Sequence, residues 1–428
     1  MSVRDKLERL YRKKSPKEPK PGNHQSGISL RGHASRINSV VPGRYTSTPF
    51  GLCFSTERTY PPGYKHGTHH LASLPPEIGE SIGLLTAEDS WIGIDPRRIL
   101  FFDTETTGLT QGAGTCVFLV GVGFFGPQGF TIRQYFLEDY SQERAFLYLI
   151  ARELGRFQAL VTFNGKAFDL PLLANRFILA GLGPPPVDYP HCDLLYPARR
   201  LWQGLLPSCA LADLENHILQ FHRTGDLPGT EIPGRYFHYL QTRDGHLLAP
   251  VFDHNRLDIT SLATLLIHLH RFVTNPMAPG HSPAEVLALA RLLEARGHLH
   301  QSEEYYRAVL EQEPGGKMEA TAMRCLANLL KRKGQVKKAV PLWEELTRKE
   351  TFSLDPYIEL AKYYEHCTRD LDRARDMVLR AREVLRHKKA LGFNLGHQPA
   401  ELEHRWQRLQ RKTAKRDHPG VISRRSAE

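Results

Sequence analysis

The sequence predicts a two-part molecule, an α/β domain built on a mixed sheet with flanking helices, followed by an all-α repeat domain. Three observations carry this reading. Short apolar runs bounded by turns begin at Ile99 and alternate with segments of helical periodicity as far as Phe272. A Pro/Gly-rich stretch, NPMAPGHSP (275–283), interrupts that texture. Beyond it the pattern is helical throughout and resembles itself along the chain.

The chain of 428 residues has room for two or three compact units. Its 41% hydrophobic and 24% charged residues exclude a fibrous or wholly disordered protein. It has no apolar run of about 18 residues, which argues against a membrane span. The N-terminal stretch lacks the apolar core of a secretory signal and carries acids that a transit peptide avoids, so a cytoplasmic location is expected. Six scattered cysteines, with no CxxC pair, read as buried free thiols rather than a disulfide framework or zinc site. The net charge of +11 favours contact with a polyanion. Basic residues crowd both ends: residues 1–20 hold eight Lys/Arg against three acids, and residues 401–428 hold eight against four.

Within the α/β part, ILFFD (from Ile99), CVFLVGVGFF (116–125) and FTIRQYFL (130–137) read as three consecutive strands, with GPQG as a turn, giving an antiparallel meander. Residues 141–157 have helical spacing, ALVTF (159–163) is a fourth strand, and FDLPLLANRFILAG leads into another helix. A long helix from Asn255 to Phe272 closes the region. The order is β-β-β-α-β-α with further helices. Residues 36–91 show turn signals and only short apolar runs, so an irregular extension is expected there. The expected division is a basic, flexible N-terminal segment (1–35), that extension (36–91), the α/β domain (92–273), a linker (274–283), helical repeats (284–390) and a basic C-terminal tail (391–428).

In the helical part, residues 287–314, 326–350 and 357–381 resemble one another. Gly297 and Gly334 stand 37 residues apart, each followed five positions later by a small residue, Ser302 or Ala339, with Ala374 at the matching place in the third unit. A period near 34 residues with helix–turn–helix texture is that of tetratricopeptide repeats, which bind protein partners. An unrelated helical bundle is the alternative.

Three carboxylate motifs carry the chemistry. In ILFFDTETTG, Asp103 and Glu105 lie two apart at a strand's end and leave the same face of the sheet. Two carboxylates that close repel unless a cation sits between them, and hard oxygen ligands suit Mg²⁺ or Mn²⁺. In VTFNGKAFDLPLL, Asp169 starts a helix just after a strand and turn, where it can face the first pair or merely cap the helix. In DHNRLDITSLATLL, His254 and Asp258 are four apart and share one helix face. Asp258 can complete a metal site and His254 can take a proton from an attacking water. Asn164, Thr106, Arg199 and Arg200 are candidate substrate contacts, and Asp193 in HCDLL reads as structural or supporting. The glycines of GAGTCVFLVGVG lie within predicted strands and form no phosphate cradle.

DTETTG after an apolar strand resembles the first motif of the DnaQ-like exonucleases, and N-x-x-x-F-D-L-P resembles the second motif of family-B polymerase proofreading domains. Residues 92–273 resemble the ribonuclease-H-like domain of the YprB family, a branch of the DEDD 3′–5′ exonuclease superfamily. GLTQGAGTCVFLVGVG, HCDLLYPARRLW, LADLENHIL and DLPGTEIPGRYFHYL match that family too, and it tends to carry tetratricopeptide repeats after the nuclease domain. The resemblance implies a metal-dependent nuclease acting on DNA or RNA, with Asp103, Glu105, Asp169 and Asp258 holding two divalent ions, Mg²⁺ or Mn²⁺. DnaQ-type members place the general-base His five residues before the last Asp, and another subclass has Tyr four before it. His254 stands four before Asp258, mixing the two patterns and leaving its role as base open. Two other readings stay open: a catalytically weak or inactive nucleic-acid-binding scaffold that recruits a partner through its repeats, and a structure-specific endonuclease.

Overall fold

A computed structural model describes residues 36–108, 114–350 and 352–417. The expected flexible segment 1–35 lies outside the described residues, as do 418–428. The chain divides into two compact units between Ala278 and Pro279.

In the first unit a short helix α1 (Ile37–Val40) precedes strands β1 (Arg44–Thr48) and β2 (Gly51–Tyr60), and a two-residue ribbon follows as β3 (Lys65–His66) and β4 (His69–His70). After helix α2 (Ile78–Thr86) come β5 (Ile99–Thr106), β6 (Val117–Gly126), β7 (Gly129–Phe136), α3 (Glu143–Leu154), β8 (Ala159–Thr162) and α4 (Asp169–Leu179). Then follow β9 (His191–Asp193), α5 (Leu195–Trp202), α6 (Leu211–Leu214), α7 (Ile232–Thr242) and α8 (Ala249–Thr274). Seven strands form one mixed sheet in the order β1-β2-β7-β6-β5-β8-β9. The expected meander β5-β6-β7 is antiparallel, while β8 and β9 join β5 in parallel. Both faces of β5, β6 and β8 are buried, which is why they read as continuous apolar runs rather than alternations.

The irregular extension expected over residues 36–91 is a correction. Residues 44–60 form a hairpin that adds two strands beside β7, with Phe54 opposite Phe136. Within β2 only Cys53, Phe54 and Ser55 are buried in succession, with Tyr60 buried at its end, and exposed Thr, Ser, Glu and Arg make up much of the remainder of the two strands. An edge strand solvated on one side carries little apolar signal.

Helix α8 starts earlier than the sequence suggested because Pro250 opens it, a position where a missing N–H costs nothing. It lies on β6 at two glycines. A Cβ on Gly121 would stand 2.1 Å from Asn255 Oδ1, and one on Gly123 would stand 2.5 Å from Ile259 Cγ2. The bare backbone of β6 therefore sets how deeply the helix carrying the third motif can sit.

The second unit is helical throughout: α9 (Pro283–Ala295), α10 (Leu299–Glu311), α11 (Gly316–Arg332), α12 (Val336–Lys349), α13 (Asp355–Tyr363), α14 (Leu371–Ala390) and α15 (Gln398–Asp417). Gly297 and Gly334 both end helices with left-handed backbone (φ 84° and 73°), which glycine adopts at no steric cost. The matching third position is Arg369, also left-handed at φ 59°. Ser302, Ala339 and Ala374, five residues on, are all fully buried, so only a small side chain fits each place.

The basic tail expected over residues 391–428 is a second correction. Residues 398–417 form α15, which buries Leu402 and Leu409. Its cations Arg405, Arg408 and Lys412 converge on the buried carboxylate of Glu365, and Arg416 pairs with Asp372. Counting charges along the chain could not show that this basic run is partnered internally. The six cysteines are free, as expected, but only Cys53, Cys116 and Cys192 are buried, and Cys367 is exposed.

Candidate metal centre

Strand β5 delivers Asp103 and Glu105 to one face, and helix α8 approaches that face with His254 and Asp258 one turn apart. Asp169 enters from the start of α4. The five predicted residues are thereby brought to one place. The charges of Asp258 and Asp169 act on Asp103, and those of Asp103, Asp258 and Asp169 act on Glu105.

Three of the four carboxylates have one oxygen pinned by a protein donor. Asn255 Nδ2 donates to Asp103 Oδ2 at 2.8 Å. The Thr104 hydroxyl donates to Asp169 Oδ1. The Arg223 guanidinium pairs with Asp258 Oδ1. Glu105, only 9% exposed, has no hydrogen-bond donor among the described residues. A buried carboxylate without a donor is costly as it stands and calls for a cation. Burial, reinforced by the neighbouring carboxylates, pushes Asp103 and Glu105 well above the ordinary carboxylate range, and burial raises Asp169 to about 6. Neutralising this crowd is what a bound divalent ion would do, and the oxygen-rich donor set fits one.

The pins are built from further residues. Asn255 is fully buried on the same stripe of α8 as Ile259 and Leu262, and it accepts from Gln134 Nε2 at 2.9 Å. Gln134 in turn accepts from the Thr56 hydroxyl at 3.1 Å. Asp103, Gly121 and Gln134 stand side by side on β5, β6 and β7, so Asn255 spans the two polar groups across the glycine between them. Arg223 is clamped by Glu215 at 2.5 and 2.7 Å and by Asp226 at 2.8 Å. Both oxygens of Asp226 also meet His254 Nδ1, at 3.0 and 2.9 Å. Burial works against the charge on Asp226, but the Arg223 and His254 hydrogen bonds outweigh it and hold its carboxyl low.

Asp193, buried at the end of β9, accepts from the backbone N–H groups of Asn164 (2.7 Å), Lys166 (3.0 Å) and Leu195 (3.1 Å). It fixes the β8–α4 turn, where Asn164 is left-handed at φ 62°, and so holds the root of the helix that carries Asp169. The other predicted substrate residues are placed differently. The Thr106 hydroxyl is spent on the Gly108 carbonyl at 2.7 Å. Arg199 and Arg200 are exposed on α5, and no hydrogen bond or ion pair among the described residues joins them to the four carboxylates. Arg200 lines a cavity of about 190 Å³ with Lys166, Asp193 and Tyr196.

Thr104, Asn255, Gln134, Arg223, Glu215 and Asp226 escaped the reading from sequence. Asn255 was legible in principle, as a polar residue at a core register between His254 and Asp258. Arg223 and Asp226 sit in the irregular HRTGDLPG stretch, where no period marks them.

A mixed seven-stranded sheet whose interior strand β5 presents paired carboxylates defines the class. The sequence profile of the RNase H superfamily matches residues 100–270, and this domain is of that superfamily. Over 333 residues the chain is 32% identical to the uncharacterized protein YprB of Bacillus subtilis (strain 168), covering 75% of this chain and 78% of that one. The chain belongs to the YprB family. Among solved structures it is similar to the family B DNA polymerase of the hyperthermophilic archaeon Pyrobaculum calidifontis, with 18% identity and a TM-score of 0.33. That likeness covers 49% of this chain and only 28% of the polymerase. No helix among the described residues is long and apolar enough to cross a membrane.

Proposed function

We propose that the α/β domain is a metal-dependent nuclease that hydrolyses phosphodiester bonds in DNA or RNA, releasing nucleotides from a 3′ end. The observation that carries the reading is the buried carboxylate of Glu105, without a donor among the described residues, beside three others that side-chain donors hold in place. Asp103, Glu105, Asp169 and Asp258 would hold two Mg²⁺ or Mn²⁺ ions, which supply an activated water and stabilise the leaving oxygen. Asn255, Thr104 and Arg223 fix the carboxylates in advance, so that little reorganisation remains when a phosphate arrives. His254, the general base expected from the resemblance, is oriented by Asp226 so that Nε2 faces the carboxylates. Asn164, Thr106, Arg199 and Arg200 remain proposed substrate contacts, with Arg200 and Lys166 of the β8–α4 turn lining one cavity. The helical unit, read as tetratricopeptide-like, would recruit a protein partner, and a cytoplasmic site of action fits this reading.

The test is cleavage of end-labelled single- and double-stranded DNA and RNA with Mg²⁺ or Mn²⁺, comparing wild type with Asp103→Ala. A metal-dependent ladder from the 3′ end that vanishes in the variant supports the proposal. Discrete internal cuts would replace it with an endonuclease, and binding without cleavage would replace it with a scaffold.

A further inference from the structure

One ligand atom from each of Glu105, His254 and Asp258 lies within 4.8 Å of the other two. Ligands bound to one ion by bonds of about 2.1 Å stand roughly 3–4 Å apart, so small side-chain adjustments would let all three share a cation. Two features aim the imidazole at that point. Both oxygens of Asp226 meet Nδ1, at 2.9 and 3.0 Å, nearer than the Arg223 Nη1 at 3.5 Å. A proton held on Nδ1 by that carboxylate leaves Nε2 with its lone pair facing outward. Arg223 occupies Asp258 Oδ1, leaving Oδ2 as the oxygen that faces the ring, 3.6 Å from Nε2. That separation is too long for a hydrogen bond. Nε2 and Asp258 Oδ2 thus face each other without a hydrogen bond, beside the Glu105 carboxylate that has no donor among the described residues, an arrangement that a cation shared by all three would satisfy.

We infer that His254 Nε2 is a ligand of the ion held by Glu105 and Asp258, that Asp226 is its positioning residue, and that this position therefore takes a first-row transition-metal ion in preference to Mg²⁺. The inference rests on the proposed metal-dependent site and changes what His254 does there, from a free base to a ligand. An imidazole ligand favours ions such as Co²⁺ or Zn²⁺ and adds little for Mg²⁺, which prefers oxygen and keeps its waters. The carboxylate–histidine pair is the arrangement that orients an imidazole on a metal and raises its basicity.

The probe is Mn²⁺, added at less than one equivalent to the full chain and read by pulsed electron paramagnetic resonance. The wild-type spectrum is expected to show coupling to a ¹⁴N nucleus, lost in His254→Gln while Mn²⁺ stays bound through the carboxylates. Asp226→Asn should weaken Mn²⁺ binding about tenfold or more and reduce the same coupling. Added to His254→Gln it should have little further effect, because it acts through the ring. Mn²⁺ bound without ¹⁴N coupling, or coupling that survives His254→Gln, overturns the ligand assignment and leaves the nuclease reading standing. Absence of any Mn²⁺ binding sensitive to Asp103→Ala sinks both. The wild-type spectrum decides the first point even if a variant folds poorly.

Discussion

Asn255 lies so close over Gly121 that a single added methyl group would meet its Oδ1 at 2.1 Å. From that position it donates to Asp103 on one neighbouring strand and accepts from Gln134 on the other. Gly121→Ala should therefore both destabilise the domain, by about 1–3 kcal/mol as overpacking does, and displace the donor that holds Asp103. Asn255→Ala should cost a similar amount, because it strips partners from buried polar groups. In the double variant the clash disappears, so the two losses should fall short of additivity by about 1 kcal/mol. Urea unfolding of the four proteins measures this. Full additivity would mean that the contact between them is not what fixes the helix depth.

How the site was legible follows from the same residues. Asp103 and Glu105 could be read because a strand's period of two places them on one face, and His254 and Asp258 because a helix's period of about four does the same. The sequence also placed Gly121 in a strand, where it lies. It could not say why the glycine is there, since the reason is a side chain more than a hundred positions away. Arg223 and Asp226 were hidden for a related cause: their stretch has no period, and their meaning comes wholly from what they touch. The β1–β2 hairpin was missed because an exposed edge carries a weak apolar pattern.

The β8–α4 turn depends on Asp193, which no substrate need touch. Asp193→Ala would leave three backbone N–H groups without their carboxylate acceptor. A loss of about 2–4 kcal/mol is expected, larger than for a surface substitution. If the turn positions Asp169, nuclease activity should fall with all four proposed ligands still present. Stability and cleavage measured together check this, and an unstable variant with undiminished cleavage below its melting range would remove Asp193 from any role at the site.

Metal-free stability should carry a pH signature from Asp169. Its burial raises it to about 6, whereas an unfolded aspartate ionises near 4. Between those values the folded protein holds the extra proton, so this group's contribution to stability falls as pH rises through that window. His66, His69 and His191, lowered to about 4 chiefly by burial, act in the opposite sense between about pH 4 and 6.5 and offset it in the total slope. The comparison that isolates the effect is wild type against Asp169→Asn with a chelator present. The variant should gain on wild type from pH 5 to pH 7, by on the order of 1 kcal/mol, and saturating Mn²⁺ should cancel the gain. A gap between the two proteins that does not change with pH would show that Asp169 is already ionised at pH 5.

Arg369 supplies the last test, in the helical unit. It occupies the place that Gly297 and Gly334 hold in the two preceding helical pairs, with the same left-handed backbone. A side chain there carries a steric cost of roughly 1–2 kcal/mol that glycine escapes, while glycine gives the unfolded chain more freedom, roughly 0.5–1 kcal/mol the other way. Arg369→Gly should therefore be neutral to stabilising by up to about 1 kcal/mol, and Gly334→Ala should be destabilising by about the same or more. At an ordinary helical position the signs would be reversed, since glycine is the weaker helix former. Thermal unfolding of the full chain, followed by circular dichroism, separates the two cases. If Arg369→Gly proves clearly destabilising, the third pair does not share the turn geometry of the first two, and its similarity in sequence has another origin.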